Sequence, residues 1–419
     1  MGYKPTLRYI YPIGVINMVI VKTAYKYRAY PSKVQKETLN RQMFLSKELY
    51  NLLLEKSKTY FKETGKTLTE YRMNLWITQI KKEKPEFAEL HSQVLQNVSK
   101  RISDSYKHFF RRCKEKKQGK KIKVGFPRYK NFVSSLTYPQ TNGFKIERKN
   151  VELSKIGRIN FVNHREIKGE VKTCTIKKTL SQEWYITISV EKEDKPFISN
   201  NKPKVGMDLG IDNFAVLSDE YILQNKHIEK KERLKLKRLQ KTISRRKKGS
   251  KNRKKAVINF ARKYEHITKV KEDWLHKLSY NLVNSYSLIA HEKLSIAGMM
   301  KNHKLARSIG EESWGNFINY LQYKAESAGC VVVSVNPKNT TKTCSECGNI
   351  QDMPLSKRIY ICKKCGMSKD RDLNASINIL NRATSGQGGS QASGDFTSVP
   401  QQEDISRINE SGTILGVSR

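Results

Sequence analysis

Two pairs of cysteines carry the clearest chemical signal in the chain. Cys344 and Cys347 form the first C-x-x-C pair, and Cys362 and Cys365 form the second, fourteen residues later. Each pair is followed by a glycine, and the two-residue gap lets both thiolates of a pair reach one tetrahedral ion. The pattern predicts a structural Zn²⁺ site in a zinc ribbon, because four thiolates leave no open coordination position. A redox-active C-x-x-C pair is the alternative, which the duplication of the motif disfavours.

Four acidic residues lie where apolar segments begin or end. Asp208 lies inside VGMDLGI, Glu292 ends SLIAHE, Asp372 begins DLNASINIL, and Asp370 lies two residues before it. Taken singly, these acids have ordinary interpretations, such as a turn residue for Asp208, a surface acid for Glu292 and a helix N-cap for Asp372. A carboxylate in an apolar strand is costly unless it is paired or binds a metal. Together the acids predict a site for two Mg²⁺ ions that hydrolyses a phosphodiester.

The charge of the chain predicts a polyanionic partner. The 419 residues include 81 Lys and Arg against 39 Asp and Glu, a formal net charge of +42. Nucleic acid is the first candidate for such a partner, and an anionic membrane surface is the second. Two runs are densest in basic residues, at 111–130 and 229–255.

Ten basic residues in these two runs are the candidates for contacts with nucleic-acid phosphates. They are Lys120, Lys121, Lys123, Arg128, Arg245, Arg246, Lys247, Lys248, Lys251 and Arg253. Phe126 and Tyr129 stand beside the first run, where aromatic side chains could stack on bases. The alternative is that both runs are simply solvated faces.

Several classes of protein are excluded by composition. No apolar stretch reaches the ~18 residues of a membrane span, and no signal-peptide cleavage site is evident. Seven cysteines in 419 residues do not make a disulfide scaffold. The sequence therefore predicts a cytoplasmic protein without a membrane partner.

The pattern of apolar residues predicts the elements that position these groups. Residues 18–30 alternate as a strand, 32–118 are helical, and 131–195 alternate as a small antiparallel sheet that the first strand joins. From Lys204 onwards a hairpin, helices and buried strands follow one another, which is typical of an α/β layer architecture. Residues 1–17 are expected to be a leader, either flexible or ahead of the native start.

The motifs together resemble those of a known family. GMDLGIDNFAVLS, AHEKLSIAGM and CSECGN…CKKCGMSKDRDLNASINIL resemble the three split segments of a RuvC-like nuclease with an inserted zinc ribbon. Their arrangement is similar to that of TnpB, the RNA-guided DNA endonucleases of insertion-sequence transposons, from which the type V CRISPR effectors are thought to descend. YKYRAYPSKVQKETLNRQ, KVGFPRYK, SRRKKGSKNRKKA and NYLQYKAESAG also resemble TnpB, so the likeness extends over residues 18–382.

This resemblance implies a multidomain α/β plus β-barrel fold. An RNase H-like (RuvC) nuclease core would occupy residues 204–382, with the zinc ribbon at 340–370. A wedge-type β-barrel would precede it, built from 18–31 and 120–203, with an inserted helical recognition domain at 32–119. Residues 383–419, rich in Gly, Ser and Gln, are expected to form a disordered tail.

The resemblance also implies a catalytic triad and partners. The triad would be Asp208, Glu292 and Asp372, binding two Mg²⁺ ions. Asp372 is preferred because it begins the D-x-N-A motif, and Asp370 is the alternative. The partners would be a guide RNA from the transposon end and a double-stranded DNA target next to a short motif, bound by a monomer in a bacterial or archaeal nucleoid.

Other functions remain possible at the level of sequence. One is a compact type V CRISPR effector with the same chemistry. The others are a guided DNA-binding repressor that does not cut, a transposase that moves DNA itself, and a plain RNA-binding protein. The presence of all three acids and all four cysteines favours the cleaving enzyme.

Overall fold

The computed structural model describes residues 19–194, 201–354 and 356–385, which form two compact units. The first unit ends at Asp194, and the second contains the described residues from 201 onwards. The predicted leader 1–17 lies outside the described residues, as does most of the predicted tail. Residues 383 and 384 of that tail belong to the last helix, so the tail cannot begin before residue 385.

The first unit is an antiparallel sheet with a helical insertion after its first strand. Its strands are β1 (Val19–Tyr30), β2 (Ser135–Tyr138), β3 (Phe144–Ile146), β4 (Asn150–Leu153), β5 (Gly157–Phe161), β6 (Glu170–Lys178) and β7 (Trp184–Asp194). Its helices are α1 (Lys33–Thr64), α2 (Glu70–Glu83) and α3 (Ser92–Lys117). The strand predicted near the N-terminus and the helical stretch after it are both present.

The seven strands follow the order β2-β6-β7-β1-β5-β4-β3. The two edge strands, β2 and β3, are joined by only residues 139–143, so the sheet curls into a nearly closed barrel. Because successive side chains of a strand point to opposite faces, Tyr25, Tyr27 and Ala29 of β1 all lie in the apolar core. Helix α1 begins at a capping box, in which Ser32 and Gln35 bond reciprocally.

The second unit is a mixed sheet covered by helices. Its strands are β8 (Lys204–Leu209), β9 (Asn213–Leu217), β10 (Ile222–Gln224), β11 (Leu288–Glu292) and β12 (Val331–Val335), with a small pair β13 (Ile359–Ile361) and β14 (Ser368–Asp370). Its helices are α4 (Ile228–Ser244), α5 (Lys251–Ser285), α6 (Ile296–Met299), α7 (Ala306–Glu312), α8 (Trp314–Ala328) and α9 (Arg371–Thr384).

The main sheet of this unit has the order β10-β9-β8-β11-β12. Strands β10, β9 and β8 are antiparallel, whereas β8, β11 and β12 run parallel. The carboxyl ends of parallel strands meet at one edge of a sheet, and ligand sites in α/β proteins form there. Asp208 and Glu292 lie at those ends of β8 and β11.

Helix α9 packs closely against β8 at Gly206. A Cβ atom at Gly206 would lie 2.0 Å from the carbonyl oxygen of Ser376, so no larger residue fits there. This close approach holds the first turn of α9, with Asp372, near the end of β8. Among the described helices, none is both long enough and apolar enough to cross a membrane.

Candidate active site and cysteine cluster

Three acids from separate segments share one electrostatic environment in the second unit. Burial raises the pKa of Asp208 well above its usual range; the negative charges of Glu292, Asp372 and Asp370 raise it further, whereas Arg371 lowers it. In the parallel register of β8 and β11, His291 pairs with Met207, so the next residues of the two strands, Glu292 and Asp208, lie on neighbouring strands at the same edge of the sheet. Helix α9, which carries Asp372, packs against β8 at Gly206. We call Asp208, Glu292 and Asp372 the acidic trio.

The two candidate aspartates at the start of α9 have different roles. Asp370 is the N-cap, since its Oδ1 accepts the backbone N–H groups of Asp372 at 2.9 Å and Leu373 at 3.1 Å. The interpretation of Asp372 as an N-cap is wrong, because Asp372 is the second residue of the helix, within its first turn. The Asp372 carboxylate instead accepts a hydrogen bond from Nε of Arg371 at 2.9 Å, and Nη2 of the same guanidinium lies 2.8 Å from it.

Arg358 is a contact of the acidic trio that sequence reasoning missed. Its guanidinium pairs with Asp212 and lies 3.6 Å from Oδ2 of Asp372. In the sequence Arg358 lies between the two cysteine pairs. Because the chain is rich in Lys and Arg, nothing in the sequence distinguishes this arginine from the others. Together with Arg371 it places two positive charges next to Asp372, which offset part of the repulsion among the acids.

Glu292 is anchored by a second residue that the sequence did not reveal. Thr340 donates its hydroxyl to Oε1 of Glu292. Burial raises the pKa of Glu292, whereas the hydrogen bond from Thr340 and the charge of Arg382 lower it. Glu292 is thus an acid whose ionised form is costly in the metal-free protein and would be favoured by a cation.

We expect Asp208→Asn to raise the melting temperature of the Mg²⁺-free protein at pH 7.5. The pKa of Asp208 is higher in the folded than in the unfolded state, so this carboxylate lowers stability progressively as the pH rises from about 4 through its folded pKa. Asparagine removes that cost, and each 1 kcal/mol gained is about 2–4 °C in a unit of this size. Calorimetry at pH 7.5 and pH 5 checks this, and the gain should be smaller at pH 5. A lower melting temperature for the variant at pH 7.5 would contradict the unfavourable burial of the Asp208 charge.

The four predicted cysteines converge. The Sγ atoms of Cys344 and Cys365 lie 3.7 Å apart and those of Cys347 and Cys362 lie 3.6 Å apart. Within the described ranges, this quartet is the one group of three or more candidate ligands whose donor atoms all lie within 4.8 Å of one another. A Zn–S distance of about 2.3 Å implies sulfur–sulfur separations of about 3.8 Å in a tetrahedron, so the quartet fits a zinc ion.

The backbone around the cysteines supports thiolate formation. Gly348 and Gly366 have φ of 71° and 74°, and their N–H groups bond the carbonyls of Cys344 and Cys362, each at 3.0 Å. These matching turns explain why a glycine follows each pair. Backbone N–H groups of Cys365 and Lys364 lower the pKa of the Cys362 thiol, whereas burial and the neighbouring sulfurs raise that of the Cys365 thiol. A cation such as zinc would therefore be needed to hold all four cysteines as thiolates.

Most of the ten candidate phosphate contacts lie on the surface, with one clear correction. Arg253 is 8% exposed, and its Nη1 donates to the carbonyls of Ile243 at 2.7 Å and Arg246 at 3.2 Å. It therefore caps the C-terminal end of α4 instead of facing solvent. The other nine are exposed: Lys120, Lys121, Lys123, Arg128, Arg245, Arg246, Lys247, Lys248 and Lys251.

The two aromatic residues beside the first basic run also differ. Phe126 packs against Phe61, Tyr106 and Phe109, with ring centroids 4.8–5.7 Å apart, so it anchors its segment and is not available for stacking. Tyr129 is 50% exposed, with Nζ of Lys58 3.9 Å from its ring centroid. The prediction of a stacking aromatic is wrong for Phe126 and stays a prediction for Tyr129.

Comparison with known proteins identifies the family. Over 370 residues the chain is 30% identical to a protein of Streptomyces pristinaespiralis named "Putative RNA-guided DNA endonuclease", a match that covers 86% of this chain and 89% of the relative. The chain belongs to the TnpB family. A TnpB relative from Escherichia coli K12, named InsQ, is 27% identical over 377 residues, covering 85% and 91% of the two chains.

Three family descriptions match successive parts of this TnpB chain. Residues 18–66 match "Helix-turn-helix domain", 187–303 match "Probable transposase", and 314–379 match "Cas12f1-like, TNB domain". The second range contains Asp208 and Glu292, and the third contains Asp372 and the four cysteines. The resemblance to TnpB predicted from the motifs is thus confirmed.

The fold agrees with that of a solved effector structure. The chain aligns with Cas12f1 in its complex with guide RNA and target DNA at a TM-score of 0.54 and 14% identity. The alignment covers 87% of this chain and 99% of the Cas12f1 chain. At this identity the likeness concerns the fold alone, and it agrees with the barrel-like sheet and helical regions described above.

Proposed function

We propose that this TnpB-family protein is an RNA-guided DNA endonuclease that cleaves its target with the acidic trio. The observation that carries the proposal is that β8, β11 and α9, the three elements that contain Asp208, Glu292 and Asp372, pack against one another in the second unit. The strand order third-second-first-fourth-fifth, with the fourth and fifth strands parallel to the first, supports an RNase H-like core. The names of the relatives at 27–30% identity support the guided activity.

The acidic trio would hold two Mg²⁺ ions. Carboxylate oxygens are the ligands that Mg²⁺ prefers. Burial raises the pKa of Asp208 and of Glu292, and the nearby arginines offset this only in part, so a bound cation would favour both carboxylates. Such ions activate a water molecule and stabilise the leaving oxygen of a phosphodiester. Arg371 and Arg358, which both contact the Asp372 carboxylate, would orient it.

The remaining features would bind and position the nucleic acids. The exposed basic residues of the 245–251 loop and of the 120–128 segment would contact phosphates of the guide RNA and target DNA. Such phosphate contacts position the nucleic acids but do not read their sequence. Base pairing with the guide would read the target, next to a short motif read by the protein. The cysteine quartet would bind Zn²⁺ as a structural ribbon, and the barrel and its helical insertion would act as wedge and recognition domains of a monomer.

A plasmid cleavage assay tests the proposal. The protein is co-expressed with its flanking genomic sequence, purified, and its co-purified RNA is sequenced. A plasmid with the matching target behind a randomised flank is then incubated with Mg²⁺ or without it. We expect Mg²⁺-dependent linearisation next to one short motif. Target binding without any cut would instead indicate a guided repressor.

The two aspartates of α9 make a matched pair of variants. We expect Asp370→Asn to retain cleavage, because the amide oxygen still caps α9 and N-cap asparagine is as favourable as aspartate. Asp372→Asn should lose cleavage, because it removes a cation ligand while the cap is intact. Cleavage rates of both variants on one target plasmid check this. Loss of cleavage in Asp370→Asn with cleavage retained in Asp372→Asn would mean that Asp370 is the third catalytic acid.

A further inference from the structure

Thr340, which belongs neither to the acidic trio nor to the cysteine quartet, makes a partly buried hydrogen bond to Glu292. Thr340 is 2% exposed, and its Oγ1 donates to Oε1 of Glu292. The same hydroxyl lies 3.1 Å from the carbonyl oxygen of Pro337. A hydroxyl has one proton to donate, and an ionised carboxylate is the stronger acceptor. Thr340 is therefore directed at Glu292 whenever Glu292 is ionised.

Helix α9 holds the backbone of the segment that contains Thr340. Side chains at positions i, i+4 and i+8 of α9, which share one face, each bond two backbone groups of residues 336–345. We call Asn374, Asn378 and Arg382 the α9 ladder. Asn374 accepts from Ser345 N (2.9 Å) and donates to Thr343 O (2.8 Å), Asn378 donates to Thr340 O (2.9 Å) and Thr343 O (2.7 Å), and Arg382 donates to Asn336 O (2.8 Å) and Lys338 O (2.7 Å).

The ladder links two members of the acidic trio. Asp372 lies two residues before Asn374, so the helix that places Asp372 also places Thr340 and, through its hydroxyl, Glu292. Asn374 and Asn378 are 0% and 5% exposed, and buried polar side chains that are fully bonded define one arrangement of their surroundings. The ladder ends at Ser345, between Cys344 and Cys347, so it also reaches the cysteine quartet.

We propose that Thr340 is a positioning residue for Glu292, held in place by the α9 ladder. Its hydroxyl bonds Oε1 and so restricts the Glu292 carboxylate to one orientation, in which it would bind a divalent cation. The role in cleavage rests on the proposed function. The role in cation binding does not, because it can be measured without a cut.

Thr340→Val and Thr340→Ser, compared in the full chain with its guide RNA, test the proposal. Valine keeps the shape but removes the hydroxyl, and serine keeps the hydroxyl. Mn²⁺ binding is measured by electron paramagnetic resonance. The guide RNA also binds Mn²⁺, and this background is measured with the Asp208→Asn complex and subtracted. The Mg²⁺ concentration for half-maximal cleavage is measured in parallel. Zinc content and guide-RNA binding report on folding.

We expect Thr340→Val to weaken Mn²⁺ binding and to raise the required Mg²⁺ by about tenfold or more, which is typical for loss of a group that orients a metal ligand. Thr340→Ser should restore the wild-type values. Wild-type Mn²⁺ binding in Thr340→Val, or equal weakening in Thr340→Ser, would overturn the proposal.

A second variant covers the case in which Thr340→Val does not fold. Asn378→Ala leaves the hydroxyl in place and removes its backbone anchor, so we expect Mn²⁺ binding to weaken here too. Unchanged binding in this variant would overturn the role of the ladder. A wild-type complex that binds Mn²⁺ but cuts no target would refute the proposed function, while the Mn²⁺ comparison would still decide the role of Thr340.

Discussion

Asp208→Asn is expected to reduce target cleavage by about 1000-fold or more while guide-RNA and target binding stay at wild-type levels. Cations held by acids of this kind contribute several kcal/mol of transition-state stabilisation, and each 1.36 kcal/mol is tenfold in rate. Asp208 is a buried acid whose pKa is raised further by Glu292, Asp372 and Asp370, so its charge is among those that a bound cation would favour. Single-turnover cleavage at saturating Mg²⁺ and a binding assay without Mg²⁺ give the two quantities.

Asp273→Asn is the matched control for this loss. Asp273 lies on α5 in the same unit, with a side chain 62% exposed that pairs with Lys277 at 2.8 Å. Exposed pairs four residues apart on a helix contribute only about 0.3–0.5 kcal/mol, so this variant should cleave at the wild-type rate. Cleavage by Asp208→Asn at a rate close to that of the control would show that the acidic trio is not the catalytic site.

Cys362→Ser is expected to remove the bound zinc and to unfold the segment around the cysteines. The local core consists of Cys344, Tyr360 and Cys362 with a few partly buried neighbours, which is too small to fold alone. Structural zinc contributes about 10–16 kcal/mol in peptides of this kind. We therefore expect zinc content to fall from about one ion per chain to near zero, with new protease cleavage sites in 340–370 and loss of DNA cleavage.

Cys113→Ser is the control for the zinc prediction, because Cys113 lies on α3 in the other unit and is not part of the quartet. Zinc content is measured by mass spectrometry of the purified protein, and local unfolding by limited proteolysis. A Cys362→Ser protein with full zinc content would mean that the ion is held elsewhere. Full zinc loss without any change in proteolysis would mean that the ion does not stabilise the segment.

Local patterns determined much of the architecture. The spacing of the cysteines predicted the quartet because a C-x-x-C-G turn is a short-range structure whose geometry its own residues dictate. Alternation of apolar residues predicted β1, and continuous apolar runs predicted the β8–β9 hairpin and β11, because burial on one or both faces of a sheet leaves a direct trace in the sequence. The motifs around Asp208, Glu292 and Asp372 likewise identified the TnpB family.

Other assignments depended on contacts between distant residues. Arg253 and Lys247 belong to one basic run, yet only the packing of α4 against α5 buries Arg253 among backbone carbonyls. Phe126 and Tyr129 are three residues apart, and only the aromatic side chains of α1 and α3 show that Phe126 is the anchor. Composition does not distinguish such neighbours, because their difference lies in what packs against them.

The surroundings of the acids show the same division most clearly. The sequence by itself determined which acids are candidates, and the start of α9 then assigned the N-cap to Asp370 and left Asp372 for the trio. Thr340 and Arg358 have no motif of their own and became visible only in the tertiary structure. A hydrogen bond across 48 residues of chain depends on how strands and helices pack, and that packing is a property of the whole unit.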